Sequence, residues 1–360
     1  MALSITMQML FDLMVEENAS DVHITVGRPP VVRRHGRLKN IKYDKLTPPD
    51  TMLLVESITP ERMMTEFREQ GSADFGYAHG RRARFRVAIF RQRGHAALVA
   101  RLIPNRLMTF DEIGLPHDVR SLCERPRGLI LVTGPTGSGK TTTLATMVDA
   151  VNTTLDRHIL TIEDPIEYYH THKKSIVNQR EVGVDVPSFA EGLRRALRQD
   201  PDVVLLGEMR DIETIGTAIT AAETGHLVFG TLHTTGSART MDRIIDQFPS
   251  AQQEQIRVQL SVSILAVISQ VLMPRADKPG VIAAFEVMIV SPAIENHIRK
   301  AETFKIPSTI QTSKGLGMFL LDDNLLNLVH AGKITKEVAL TRAQHPRLLR
   351  EKLEALQNVG

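Results

Sequence analysis

Residues 128–148 read GLILVTGPTGSGKTTTLATMV, from Gly128 to Val148. Leu129 to Thr133 is a short apolar run with the composition of a buried strand. Gly134-Pro135-Thr136-Gly137-Ser138-Gly139-Lys140-Thr141 then completes a G-x-x-x-x-G-K-[ST] phosphate loop, and a helix-forming stretch opens at Lys140. The glycines let consecutive backbone N–H groups curl around a triphosphate, while the positive end of the new helix faces the same anion. The Lys140 ammonium can reach the β/γ oxygens, and the Thr141 hydroxyl can hold Mg²⁺. Gly134 to Thr142 is the expected nucleotide site, with ATP and Mg²⁺ as its expected ligands.

The 360 residues suggest two domains. An apolar content of 42% and a charged content of 24% are those of an ordinary globular chain. No run reaches the roughly 18 apolar residues that a membrane helix needs. The nearest, Leu260 to Met273, carries Ser261, Ser263, Ser269 and Gln270 and reads as a buried helix. The N-terminus lacks the basic region of a signal peptide; Leu3, Met7, Leu10 and Met14 fall instead at helical spacing. Cys123 is the single cysteine, which excludes an intrachain disulfide and a four-cysteine zinc site and fits a reducing cytoplasm. A net charge of +3 gives no argument for nucleic acid, and the 13 histidines show no HExxH-type spacing.

Residues 1–103 read as a small α/β unit. Its candidate elements are a strand at Val22 to Val26, a helix over Asp50 to Glu69, and a strand pair, Ala73 to Ala78 and Ala83 to Arg91. The basic turn His79-Gly80-Arg81 joins that pair, and a further strand runs from His95 to Ile103. Residues 104–116 read as a linker broken by Pro104, Gly114 and Pro116. Residues 117–360 form the second domain. There strands at Leu129–Thr133, His158–Glu163, Val203–Glu208 and Leu227–Thr231 alternate with helices at 140–152, 188–199 and 212–224, the pattern of a parallel sheet covered on both faces. After Ser237 the chain reads as mostly helical.

In such a sheet, ligands sit beyond the carboxyl ends of the strands. Polar residues stand at three of those ends. Glu163, in Ile162-Glu163-Asp164-Pro165, can orient or deprotonate an attacking water, or cap the following turn. Glu208 ends the apolar run Val203 to Leu206, as a Walker B acid does, and can hold Mg²⁺ partly through water, or simply face solvent. His233, in Thr231-Leu232-His233-Thr234-Thr235, can hydrogen-bond a γ-phosphate; His226 precedes the same strand. In Arg82-Ala83-Arg84-Phe85-Arg86 the arginines share one strand face, with Arg93 and Arg101 nearby. They are either a solvated basic face or guanidiniums supplied to another subunit's nucleotide. With 4% aromatics and no Trp, a nucleic-acid stacking surface is the weaker reading.

Taken together, these motifs resemble those of the type II/type IV secretion ATPases, and within them the type IV pilus retraction (twitching motility) branch. The match rests on Ser20 to Gly27, the loop Gly134 to Thr141, Ile162 to Glu167, Gly207 to Asp211, Thr220 to Thr235 and Asp242 to Asp246 with Phe248-Pro249. The resemblance implies a PAS-like N-terminal domain joined to a RecA-like P-loop ATPase core, an α/β fold, and a homo-hexameric ring. It implies that Glu163 is the general base, that Glu208 works at the metal, that His226 and His233 line the site, and that Arg86 and Arg101, with Arg93 as a further candidate, complete it. The implied partner is an inner-membrane pilus platform protein, reached from the cytoplasmic side without membrane insertion and without stable nucleic acid. Two segments depart from the family pattern. Ala293 to Arg299 carries Glu295 and His297 where retraction ATPases have arginine and leucine, and Leu265 stands where relatives often have arginine. Neither touches the phosphate loop. The charge reversal at Glu295 motivates a second reading, an accessory retraction ATPase working beside a paralogous pilus ATPase. A RecA-like nucleic-acid translocase and a non-hydrolysing nucleotide-gated scaffold are the remaining alternatives.

Overall fold

The computed structural model describes residues 4–34, 37–80, 82–103 and 106–357. Leu3, Arg81 and Pro104, which figure in the sequence reading, lie outside the described residues. The chain divides into two compact units, Met1–Arg106 with Pro165–Tyr169, and Leu107–Asp164 with His170–Gly360.

The smaller unit contains α1 (Met7–Glu16), β1 (Asp21–Ile24), β2 (Val31–Arg34), β3 (Arg37–Asn40), α2 (Pro48–Glu56), α3 (Glu61–Gln70), β4 (Ser72–His79), β5 (Ala83–Gln92) and β6 (His95–Ile103). Its six-stranded sheet has the order β3-β2-β1-β6-β5-β4, with antiparallel neighbours throughout. Thr6 caps α1, whose Met7, Leu10, Phe11 and Met14 are buried. Phe11 stacks on Phe85 of β5 with ring centroids 4.0 Å apart. The single helix expected over Asp50 to Glu69 is two helices. Pro60 supplies no N–H and the residue before a proline is disfavoured in helical geometry, so α2 ends at Glu56 and α3 begins at Glu61. The short strands β2 and β3 were not expected; β3 is exposed along its whole length and carries no apolar alternation.

The larger unit contains α4 (Phe110–Ile113), α5 (His117–Leu122), β7 (Gly128–Thr133), α6 (Lys140–Thr154), β8 (His158–Glu163), β9 (Ile176–Glu181), α7 (Phe189–Ala196), β10 (Val203–Leu206), α8 (Ile212–Thr224), β11 (Leu227–Leu232), α9 (Ser237–Ile245), α10 (Ser250–Ser263), β12 (Ile264–Pro274) and β13 (Val281–Ile289). The remainder is helical: α11 (Pro292–Arg299), α12 (Ile306–Thr312), α13 (Leu321–His330), α14 (Lys336–Arg342) and α15 (Pro346–Gln357). The sheet order is β13-β12-β7-β11-β10-β8-β9. All neighbours are parallel except the hairpin of β12 and β13. The strands β7, β10 and β11 are buried at every position, as a sheet covered on both faces requires.

One expectation is overturned here. Leu260 to Met273 is not one buried helix: α10 stops at Ser263 and the chain continues as β12. A run buried on both sides carries no period that separates helix from strand. The β-branched residues Ile264, Val267, Ile268 and Val271 decide for the extended form, and β7 offers the open edge that pairs with it. No helix among the described residues is long and apolar enough to cross a membrane.

Candidate nucleotide site

Because β7, β11, β10 and β8 are adjacent and parallel, their carboxyl ends share one edge of the sheet. The loop Gly134 to Gly139, Glu208, His233 and Glu163 all leave from that edge. Backbone hydrogen bonds tie the ends together: Gly134 N donates to Leu232 O (3.2 Å), Met209 N to Thr231 O (3.1 Å) and Gly207 N to Ile162 O (2.8 Å).

The loop is built so that only glycine fits where it must. Gly134 has φ 144°, and a Cβ there would lie 2.2 Å from the Gln270 carbonyl oxygen. Gly139 has φ 87° and forms the N-cap of α6. The Lys140 ammonium donates to the carbonyls of Gly134 (2.8 Å) and Pro135 (3.2 Å), so it is held over the loop's own mouth. Ser138 Oγ and Thr133 Oγ1 are buried without a hydrogen-bond partner among the described residues. Orphaned hydroxyls, a glycine cradle and a helix N-terminus are the donor set that suits a polyphosphate. Thr141 and Thr142 stand half-buried at the first turn of α6.

The two carboxylates have different surroundings. Glu163 is 8% exposed. Its Oε1 accepts hydrogen bonds from Thr161 Oγ1 (2.6 Å) and from Gln179 Nε2 (3.1 Å), the latter on β9. Glu208 Oε1 contacts His233 Nε2 at 2.6 Å and also pairs with the Arg210 guanidinium. Burial opposes its charge, but the hydrogen bonds and positive charges of Arg210 and His233 outweigh that and hold the carboxyl below its usual range. A cavity of about 550 Å³ opens here, lined by Thr136, Glu208, Arg210, His233 and Arg243 among others.

His226, Arg101 and Arg82 each have a partner within their own unit. His226 sits at the amino end of β11, where its carbonyl accepts from Gly128 N (3.0 Å) and its Nδ1 faces Ala221 O at 3.1 Å. Six strand residues, about 20 Å at the usual rise, separate that end from the loop. Within one chain His226 therefore closes the turn after α8 and does not join His233. In the smaller unit Arg86 and Arg101 are cross-strand partners. Arg101 Nε donates to the buried Asp21 at 2.8 Å. Arg84 and Arg86 alternate with buried Phe85 and Val87, and Arg84 lies over the Tyr169 ring. Arg82 bonds Asp12 at 2.7 Å. Arg93 has φ 51° and forms the tip of the β5–β6 hairpin with Gly94. Its distance along β5 from Arg86 is about 23 Å at the usual rise, so it serves the turn and is not part of the Arg86–Arg101 pair.

Sequence reasoning missed Gln179 and Gln270, which brace Glu163 and the loop. Both lie on strands it had not assigned, so no motif drew attention to them.

Glycine loop, parallel sheet and carboxylates at one edge define a P-loop nucleotide-binding protein with a second, antiparallel-sheet unit ahead of it. More narrowly, the chain belongs to the Type II/IV secretion system protein family, whose model matches residues 3–303. It is 47% identical over 331 residues to the type IV pilus retractation ATPase PilT of Pseudomonas aeruginosa, covering 92% of this chain and 96% of that one. It is 38% identical over 341 residues to the type IV pilus ATPase PilU of the same organism, covering 95% and 89%. Among solved structures, that of the pilus retraction motor PilT with bound ADP superposes with a TM-score of 0.91 at 46% identity, covering 97% of this chain and all of that one.

Proposed function

We propose that this chain is a motor ATPase that hydrolyses ATP to drive retraction of type IV pili, the movement called twitching motility. The observation that carries the reading is the convergence of the glycine loop, Glu163, Glu208 and His233 on one sheet edge, in a chain similar over nearly its full length to a pilus retraction ATPase.

ATP seats its phosphates on the N–H groups of the loop, and Lys140 exchanges the Gly134 and Pro135 carbonyls for phosphate oxygens. Thr141 and, partly through water, Glu208 would hold Mg²⁺, which supplies charge neutralisation on the β/γ oxygens. Glu163, kept in place by Thr161 and Gln179, orients and deprotonates the attacking water. His233 donates to the γ-phosphate from its seat on Glu208. Arg86 and Arg101 supply positive charge from the PAS-like domain, residues 1–103, which a linker (104–116) joins to the RecA-like domain (117–360). Six copies form a ring at the cytoplasmic face of the inner membrane, and domain movement during turnover acts on a pilus platform protein there.

A second reading, the accessory retraction ATPase, is favoured by α11. Glu295 is engaged by Arg299 of its own helix, and His297 lies against Thr309 (3.2 Å). The Glu295 and Arg299 charges are thus engaged with each other. Deletion of the gene followed by observation of single-pilus retraction separates the two: loss of retraction marks the principal motor, and retraction that persists marks the accessory one. In either case Lys140→Ala should abolish ATP turnover; a turnover rate equal to the parent's would remove the ATPase reading.

A further inference from the structure

Gln270 lies in the middle of β12 and is 1% exposed. Its Nε2 donates to the Ser138 carbonyl at 2.6 Å, and its Oε1 accepts from Thr143 Oγ1 at 2.8 Å. A carbonyl can only accept, so the amide orientation is fixed by Ser138. Both partners belong to the nucleotide loop and the helix it opens.

In a trans peptide the C=O and the next N–H point in opposite directions. Holding the Ser138 carbonyl against β12 therefore aims the Gly139 N–H to the other side of the loop, where the anion is expected. Gly139 lies at φ 87°. Rotating that peptide by half a turn would bring Gly139 to a negative φ that glycine adopts as readily. The glycine that shapes the loop therefore does nothing to prevent the flip. A flipped peptide would point the Ser138 carbonyl oxygen at a phosphate.

We propose that Gln270 is a positioning residue for nucleotide: its amide locks the Ser138–Gly139 peptide in the orientation that presents N–H, and not C=O, to the phosphates. The inference rests on the nucleotide reading of the loop. Gln270 touches no substrate and acts only through Ser138 and Thr143.

The experiment measures ADP affinity by calorimetry, steady-state ATPase kinetics and the melting temperature without nucleotide, on the full chain. Gln270→Met keeps length and apolar bulk but removes both bonds. It should weaken ADP binding tenfold or more and raise KM for ATP, with kcat at saturation within a few-fold. Gln270→Glu adds a conservative test. Protonated, its carboxyl can donate to the Ser138 carbonyl; ionised, it cannot. Its ADP affinity relative to the parent at the same pH should therefore fall as pH rises from 5.5 to 9. If Gln270→Met does not fold, the Gln270→Glu series decides alone. ADP binding by Gln270→Met within twofold of the parent, a lowered melting temperature with unchanged affinity, or a flat relative affinity for Gln270→Glu would each overturn the proposal. Absence of ADP binding by the parent chain would instead refute the nucleotide reading itself.

Discussion

Glu208 and His233 meet through a 2.6 Å hydrogen bond, Oε1 to Nε2, just beyond the ends of two adjacent parallel strands. The imidazole, together with Arg210, keeps the carboxyl ionised against the cost of its burial. This pair gives the most direct handle on the chemistry. His233→Ala should lower kcat about 10²- to 10³-fold, the range of a lost transition-state donor. The folded value of Glu208 is depressed, so the ionised form is lost as pH falls through it. Removing His233 raises that value, and the acid limb of the pH–rate profile should move to higher pH. An acid limb that stays in place would show that Glu208 does not govern it.

The pair of buried Glu163 and half-buried Gln179 separates a base from its support. Glu163→Gln should cut turnover about 10²- to 10⁴-fold with ATP affinity unchanged, as expected when a general base is lost. Gln179→Leu should cost less, about tenfold, because Thr161 still donates to the same oxygen. Normal turnover by Glu163→Gln would remove its assignment as the base.

Asp21 is buried beneath Arg101 and Arg33. Burial opposes its charge, yet hydrogen bonds from Ser20 and Arg101 hold its carboxyl below the usual value. A depressed folded value stabilises above the unfolded value, near 3.9, and that stabilisation is lost as pH falls through the folded one. Asp21→Asn should destabilise the smaller unit by about 1–3 kcal/mol, the effect of losing hydrogen bonds to a buried charge. It should also flatten the acid side of the melting-temperature profile below about pH 4. Unchanged melting at neutral pH would show that Arg101 needs no anchor.

Cys123 is 2% exposed, and burial pushes its thiol up to about 12. Thiolate is the reactive form. The native chain should therefore react with thiol reagents only as fast as it opens, and urea should accelerate labelling by orders of magnitude. Rapid stoichiometric labelling of folded protein would contradict the burial.

The sequence is most transparent where a residue pattern has a single structural solution. The loop Gly134 to Thr141 and the acids after apolar runs placed the nucleotide edge, because a strand ending in glycine or carboxylate leaves the chain few other routes. The strand at His158–Glu163 and the helix at 212–224 were readable to the residue. It is least transparent where partners decide. β12 could be recognised only through β7 beside it. β9, with Asn178, Gln179 and Arg180, has no apolar signature because it forms the sheet's edge. His226 shows a related limit: its nearness in sequence to His233 does not tell which end of the strand each occupies, and within one chain they stand at opposite ends of β11.

Pro165–Tyr169, directly after Glu163-Asp164, belongs to the smaller unit although both its neighbours in sequence belong to the larger. Neither unit is thus encoded by one uninterrupted stretch of gene. Expression of residues up to 106 alone would leave out the Tyr169 ring on which Arg84 lies, and the complementary fragment would carry Pro165–Tyr169 without the unit it folds with.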